Sequence, residues 1–190
     1  MRCFSCGVWS FKPLCKHCYT ELSPRLQTHR LAKTPVLSFY VYEDIELLLK
    51  SKYTLIGSRL LPLLALRLKH LLEPLLATPL HALPIDDHIK RGYSHTAAIA
   101  RALCAHSPCK VLYNRLRATK DITYAGQSLE FRKQNPKGFV FRGDPSLAYF
   151  LVDDVLTTGT TLCQAIQTLR GAGAKVAFAL VLAKVQSLSF

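Results

Sequence analysis

Acidic residues are scarce in this chain. Only 12 Asp and Glu stand against 25 Lys and Arg, which leaves a net charge of +13. So basic a surface favours polyanions as partners: nucleic acid, phosphorylated ligands or an anionic membrane. Long hydrophobic runs are lacking where a membrane span would need one. The greasiest stretch, residues 55–83, is interrupted by Arg59, Arg67, Lys69, His70 and Glu73, and its longest unbroken apolar run is residues 60–66. A span needs about 20 apolar residues, so no transmembrane segment is expected. Met1-Arg2-Cys3-Phe4-Ser5-Cys6 offers no apolar signal-peptide core, which makes a reducing cytoplasm the expected compartment. Internal repeats and low-complexity tracts are absent as well. With 49% apolar and 19% charged residues, the chain has the material for a packed core, and its composition argues against disorder. Its 7 cysteines are an odd number, so a complete disulfide framework would leave one over. In a reducing compartment, paired cysteines more often bind metal.

At 190 residues the chain accommodates one full-sized domain and a small appendage. Residues 1–22 are cysteine-rich with little hydrophobic periodicity. Residues 23–36 are polar and basic, bracketed by Pro24 and Pro35 like a linker. Residues 37–190 form the main domain. It opens on a strand over residues 36–42 and continues into helices, where Leu47, Leu48 and Leu49 and then Leu60, Leu63, Leu64 and Leu71 recur near helical spacing. Pro62 fits the first turn of the second of these helices. From residue 78 strands and helices alternate. Strands are expected at 79–85, 110–116, 149–155 and 176–185, and helices at 94–104 and 160–170, with Gly171 and Gly173 marking the last helix end. Such alternation predicts an α/β fold with a largely parallel sheet.

The sharpest local pattern is Phe150-Leu151-Val152-Asp153-Asp154-Val155-Leu156-Thr157-Thr158-Gly159-Thr160-Thr161. A buried strand ends in two carboxylates, and a loop of small residues then opens a helix. Ligands of open α/β sheets sit at the carboxyl ends of strands. Loop N–H groups, a helix N-terminus and threonine hydroxyls together suit an anion. Two acids alone would repel a phosphate. They make sense beside a phosphorylated sugar, whose hydroxyls want acceptors, with a divalent cation shared between them. A nucleotide P-loop would need Gly-Lys-Ser/Thr, and the loop has no such lysine. A plain structural turn with exposed acids is the other alternative.

Cys3-x-x-Cys6 and Cys15-x-x-Cys18 are two knuckles, each offering two thiolates from one tight turn, and together they match a closed, structural tetrahedral Zn²⁺ site. Disulfides or redox pairs are the alternatives. His17 and His29 are weaker substitutes as ligands, and Cys104, Cys109 and Cys163 suit small buried positions. Cations gather between residues 115 and 142, including Arg115, Arg117, Lys120, Arg132 and Lys133, with Tyr113, Tyr124 and Phe131 close by. Arg25, His29, Arg30 and Lys33 form a second basic group. Cations interleaved with aromatics suit sequence-tolerant binding of single-stranded nucleic acid, although a charge run is often only a solvated face.

The loop at 153–161 resembles the phosphoribosyl-diphosphate signature of type I phosphoribosyltransferases. The order of Cys3-x-x-Cys6, Cys15-x-x-Cys18, Pro84 at a strand end, Arg91-Gly92-Tyr93, Gln127, Arg132, Asn135 and that loop is similar to the ComF/ComFC competence family. Ser94-His95 stand where that family usually has Asn-Gln, and Ala82-Leu83-Pro84 where it usually has Pro-Val-Pro. The resemblance implies a type I phosphoribosyltransferase-like domain behind a zinc module. It implies Asp153 and Asp154 as catalytic residues facing ribose hydroxyls and a Mg²⁺-bearing ligand. Val155, Leu156, Thr157, Thr158, Gly159, Thr160 and Thr161 would hold the 5-phosphate side of phosphoribosyl diphosphate, and Lys90 and Arg91 its diphosphate. Residues 117–135 would be a mobile loop that closes and excludes water. The implied role is handling incoming single-stranded DNA in the cytoplasm during natural transformation. The implied partner is a helicase-like translocation protein at the inner membrane face. The rivals are an enzyme moving phosphoribose onto a base or small amine, and an interaction module with a vestigial pocket.

Overall fold

A computed structural model describes the chain except residues 86–88, 90, 91, 125 and 187–190 and the side chain of Leu129. In chain order its elements are α1 (Lys16–Glu21), β1 (Gln27–Leu31), β2 (Thr34–Ser38), β3 (Tyr40–Val41), α2 (Tyr42–Lys50), a 3₁₀ turn (Ser51–Tyr53), α3 (Gly57–Leu66), α4 (Lys69–Leu72) and β4 (His81–Pro84). They continue with α5 (His95–Cys104), β5 (Lys110–Val111), β6 (Leu116–Ala118), α6 (Leu129–Gln134), β7 (Phe139–Phe141), β8 (Ala148–Leu156), α7 (Thr160–Gly171) and β9 (Lys175–Lys184).

The main sheet runs β1-β2-β9-β8-β4-β5, with β3 also pairing β9. Every pairing is parallel except β1 with β2. β6 and β7 form a separate antiparallel ribbon. The long strands are apolar almost throughout because both sheet faces are covered. Successive side chains of β8 serve opposite faces. Phe150 and Val152 join Leu180, Leu182, the α3 leucines 60, 61 and 64, and Ile99 of α5 in one core. Tyr149 and Leu151 join Val181 and the α7 stripe of Leu162, Ala165, Ile166 and Leu169 in the other. Both cores press on β8 and fix the direction in which its carboxyl end points. The α/β class with a largely parallel sheet and four clustered cysteines ahead of it is the observed architecture.

Three expectations are corrected. Pro62 is not in the first turn but at the sixth position of α3. The chain is already winding at Thr54, where Gly57 N and Ser58 N donate to Thr54 O and Leu55 O. Burial of Leu60, Leu61 and Leu64 on both sides of the proline outweighs the bond it denies to the Ser58 carbonyl. The strand expected at 110–116 stops at Val111, and the chain turns through Asn114 at φ 57° before β6. Residues 27–31, within the expected linker, form an edge strand against β2. Among the described residues no helix is long and apolar enough to cross a membrane.

Candidate functional site

β8 lies between β4 and β9, and its last residues outrun β4, whose pairing ends at Pro84 with Val152. Asp153 and Asp154 therefore project at the carboxyl edge of the sheet, with cover on both sides. Asp154 N donates to Asp153 Oδ1 at 2.9 Å, and Asp154 is only 6% exposed. Lys52 Nζ meets Asp154 Oδ2 at 2.5 Å. The sequence reading missed this lysine, which comes from the 3₁₀ turn after α2. Its turn is held down by Tyr93, whose hydroxyl donates to Lys52 O at 3.0 Å. Gly57 permits the approach, because a Cβ there would lie 2.2 Å from Tyr93 Oη and 2.3 Å from Ser51 O. His95, the first residue of α5, completes a cluster in which one ligand atom each from His95, Asp153 and Asp154 lies within 4.8 Å of the others. Burial pushes the Asp153 carboxyl up to about 8, and the neighbouring Asp154 charge adds to that. Burial also raises Asp154, but Lys52 and then His95 hold it far below the usual carboxylate range. The two carboxyls are thus pushed in opposite directions, Asp153 up by burial and Asp154 down by Lys52, which pairs with it.

Beyond the acids, Thr157 and Thr158 are exposed, and Gly159 turns left-handed at φ 75° to start α7. A side chain at Gly159 would meet Leu31 Cδ1 at 2.6 Å, so the hairpin of β1 and β2 backs the loop. Thr158 Oγ1 and Thr160 Oγ1 lie 2.9 Å apart. The loop brings threonine hydroxyls and backbone to the amino end of a 12-residue helix. Arg132 of α6 reaches it from the 117–138 segment, donating through Nη1 to Thr157 Oγ1 at 2.8 Å and Thr158 Oγ1 at 3.2 Å. Its Nε donates to Gln127 O at 3.1 Å, and its guanidinium stands over the Tyr124 ring. Tyr124 is buried, donates to Asn135 O at 2.7 Å and receives Gln164 Nε2 at 3.2 Å. Gln127, Arg132 and Asn135 are therefore parts of one brace between α6 and the loop. Of the expected nucleic-acid cations, Arg132 is committed to that brace, Arg117 is half-buried, and Arg115, Lys120 and Lys133 are exposed. Tyr124 is too buried to stack on a base, whereas Tyr113 and Phe131 are exposed. Lys90 and Arg91 lie outside the described residues.

The cysteine knuckles come together. One sulfur each from Cys3, Cys6, Cys15 and Cys18 lies within 4.8 Å of the others, and Cys6 Sγ is 3.7 Å from Cys15 Sγ. Gly7 turns left-handed to close the first knuckle, with Gly7 N donating to Cys3 O at 2.9 Å. Cys15 N donates to Cys3 Sγ at 3.2 Å and Cys18 N to Cys15 Sγ at 3.4 Å. Burial raises the Cys3 thiol, but backbone N–H groups of Cys6, Cys15 and Ser5 bring it down to about 6. A hydrogen bond with Ser5 lowers Cys18, yet Cys6, burial, Cys15 and Cys3 together push it up to about 12. Sulfurs this close cannot all ionise without a cation among them, and this donor set fits Zn²⁺. Neither His17 nor His29 joins the cluster. The module docks by burying Cys3 and Leu14, and Arg67 stands over Tyr19 and donates to Leu22 O at 2.9 Å. A cavity of about 860 Å³ opens between module and sheet, lined by Ser5, Cys18, Arg25, Tyr40, Asp44 and Gln186 among others, and no residue of the 153–161 loop lines it.

Residues 148–189, comprising β8, the loop, α7 and β9, match the family model of the phosphoribosyl transferase domain. Over that stretch the α/β fold is of phosphoribosyl transferase type, and the four-cysteine cluster lies toward the other end of the chain. Similar solved structures include UMP synthase of Leishmania donovani, at 16% identity and TM-score 0.44 over 87% of this chain. This chain spans only 30% of that enzyme. A phosphoribosyltransferase of Corynebacterium diphtheriae is similar at 14% identity and TM-score 0.42, over 90% of this chain and 81% of that one. Orotate phosphoribosyltransferase of Mycobacterium tuberculosis H37Rv, solved with Fe(III) dicitrate, is similar at 13% identity and TM-score 0.41, over 88% and 81%. No curated protein matches the chain in sequence.

Proposed function

We propose that the protein binds phosphoribosyl diphosphate with Mg²⁺ at the loop of residues 153–161, and handles incoming single-stranded DNA in the cytoplasm during natural transformation. The observation that carries the first part is the β8–α7 junction, where two adjacent carboxylates precede a threonine-rich loop within the stretch that matches the family model. Asp153 and Asp154 would take the ribose hydroxyls and share the Mg²⁺ ion. Thr157, Thr158, Gly159, Thr160 and Thr161 would hold the 5-phosphate, with Val155 and Leu156 supplying the backbone that leads into it. Lys90 and Arg91 would face the diphosphate. Magnesium, when bound, supplies charge stabilisation for a departing diphosphate. Arg132 bonds the two threonines that would receive the phosphate, and residues 117–135, which carry it, would close over the sugar.

Support for the DNA part is physical and less local. The +13 charge, the exposed cations Arg115, Lys120 and Lys133, and the exposed rings of Tyr113 and Phe131 suit phosphate pairing with sequence-tolerant stacking. The cysteine module would hold one structural Zn²⁺ ahead of the main domain. A helicase-like translocation protein would bring the chain to the inner membrane face. Calorimetry with phosphoribosyl diphosphate and Mg²⁺, and with a short single-stranded oligonucleotide, separately and together, tests the whole reading. Binding of both ligands is expected. Binding of the sugar diphosphate alone would leave transfer of phosphoribose to a base or small amine as the function. Binding of DNA alone would make the loop vestigial.

A further inference from the structure

We propose that the tip of the cysteine module, formed by Val8, Trp9 and Phe11, docks on an anionic lipid surface, with Arg2, Lys12 and Lys16 pairing the lipid phosphates. The contact belongs to the chain itself. It needs neither DNA, sugar diphosphate nor a partner protein, and so goes beyond the reading above.

The tip is built on paired backbone. Cys3 N donates to Val8 O at 2.7 Å and Ser10 N to Met1 O at 2.9 Å, which sets Arg2 opposite Trp9 as an antiparallel pair. A pair flanked by its bonds in this way brings its two side chains close together on one face. Successive residues of an extended segment point to opposite faces, and Cys3 is buried in the core, so Arg2 and Trp9 turn outward. The other side of the module is occupied, with Leu14 buried and Tyr19 under Arg67. What remains in solvent is apolar. Trp9 is 80% exposed, Phe11 wholly so, Val8 53% and Met1 45%. Single bare apolar residues are ordinary on a protein surface, but a contiguous group of them marks a contact surface.

Charge chooses the occupant. Residues 1–20 carry Arg2, Lys12 and Lys16 and no Asp or Glu. All three cations are exposed, and among the described residues none of them is in an ion pair. The surface therefore suits a polyanion that also offers an apolar layer. Single-stranded nucleic acid would stack its bases on Trp9 and Phe11, but it would leave Val8 and Met1 without a role. The boundary between lipid headgroups and acyl chains takes rings and aliphatic groups alike. Tryptophan favours that depth, and Lys and Arg stand beside the phosphates. The mixture of side chains at the tip thus favours lipid. A few apolar side chains with three cations give reversible, peripheral binding.

The chain has one tryptophan, and it stands at the tip, so its emission reports on this surface directly. The test titrates zinc-loaded, full-length protein with vesicles of phosphatidylglycerol and phosphatidylcholine mixed about 1:2, with neither DNA nor sugar diphosphate present. Trp9 emission should shift to the blue and be quenched by lipids brominated on their acyl chains. Vesicles of phosphatidylcholine alone should bind at least ~10-fold more weakly, because the three cations lose their partners. Val8→Ser with Phe11→Ser keeps the tryptophan and should weaken binding by ~10-fold or more. No shift of Trp9 emission, equal affinity for the two vesicles, or unchanged affinity in the double variant would overturn the proposal. So would a Trp9 signal quenched by a short oligothymidylate but unmoved by vesicles, which would give the tip to nucleic acid. Should the double variant not fold, the Trp9 signal of wild type on the two vesicles decides alone. Failure here leaves the sugar-diphosphate and DNA readings intact, and failure of those leaves this measurement unaffected.

Discussion

The molecule crowds ionisable groups together at two places, and it treats them differently. At the amino end, four thiols from two short knuckles crowd together with few apolar residues of their own. At the end of β8, two carboxylates crowd together on the central strand of a fully packed sheet. Among the described residues no lysine or arginine pairs with the sulfurs of the first cluster, and its two knuckles are held mainly by turns. The second has Lys52, delivered from 102 residues away in the chain. A cluster that lacks a core must be organised by an external ion. A cluster built on a core can carry its own counter-charge. In the proposed reading the first is a structural centre and the second a ligand site.

The largest effect should come from the cysteine cluster. A structural Zn²⁺ site contributes about 10–16 kcal/mol in small modules. Cys3→Ser, or prolonged chelation, should release about one Zn²⁺ per chain and unfold residues 1–22, while the α/β core keeps its cooperative melt. Elemental analysis and hydrogen exchange check this, and a metal-free protein with a protected amino end would erase the contrast between the clusters. Next, Arg132→Ala removes a charged donor from Thr157 and Thr158. Charge-assisted bonds are worth about 1.5–3 kcal/mol, so sugar-diphosphate affinity should fall roughly 10- to 100-fold with zinc content unchanged. Gly159→Ala forces a side chain into a left-handed position against Leu31, and thermal unfolding should show a loss of about 1 kcal/mol or more. The smallest change is electrostatic. Neutralising Arg115, Lys120 and Lys133 should reduce the salt dependence of single-stranded DNA binding by up to roughly 2 in log–log slope, at about 0.7 per phosphate. Fluorescence anisotropy reads it, and an unaltered slope would place the DNA contacts elsewhere.

What the sequence disclosed depended on how local each feature is. β8 and α7 are legible because a strand covered on both faces is apolar throughout and a one-sided helix shows its stripe at Leu162, Ile166 and Leu169. The cysteine knuckles are legible because all four ligands lie within 16 residues of sequence, Cys3 to Cys18. Lys52 is not, since a single lysine after a leucine-rich helix looks like any solvated cation until Asp154 is brought to it. The hairpin of β1 and β2 was hidden by its turn. Ala32 and Lys33 both take positive φ, 47° and 64°, where Asn-Gly would have announced a two-residue hairpin. Arg170 secures that unusual turn by donating to Ala32 O and, at 2.8 Å, to Thr34 Oγ1. Pro35 misled for a related reason: the ladder from β2 to β9 begins only at Val36, so the proline denies the sheet nothing. Arg132 was visible as a cation but not as a brace, because its partners are 25 and 26 residues further along the chain.

The central claim is that the end of β8 and its loop form a phosphoribosyl-diphosphate site, and one measurement bears on it most directly. Isothermal titration of wild type and of Asp153→Asn with Asp154→Asn, each with phosphoribosyl diphosphate and excess Mg²⁺, separates ligand chemistry from fold. The paired substitution keeps side-chain volume and removes the charge that a sugar hydroxyl and a magnesium ion require. It also strands the Lys52 ammonium, so circular dichroism must first show a native fold. Wild type should bind about one ligand per chain, and the variant at least ~100-fold more weakly, a difference of about 2.7 kcal/mol. Equal affinity of the two proteins, or no heat with wild type, would contradict the account.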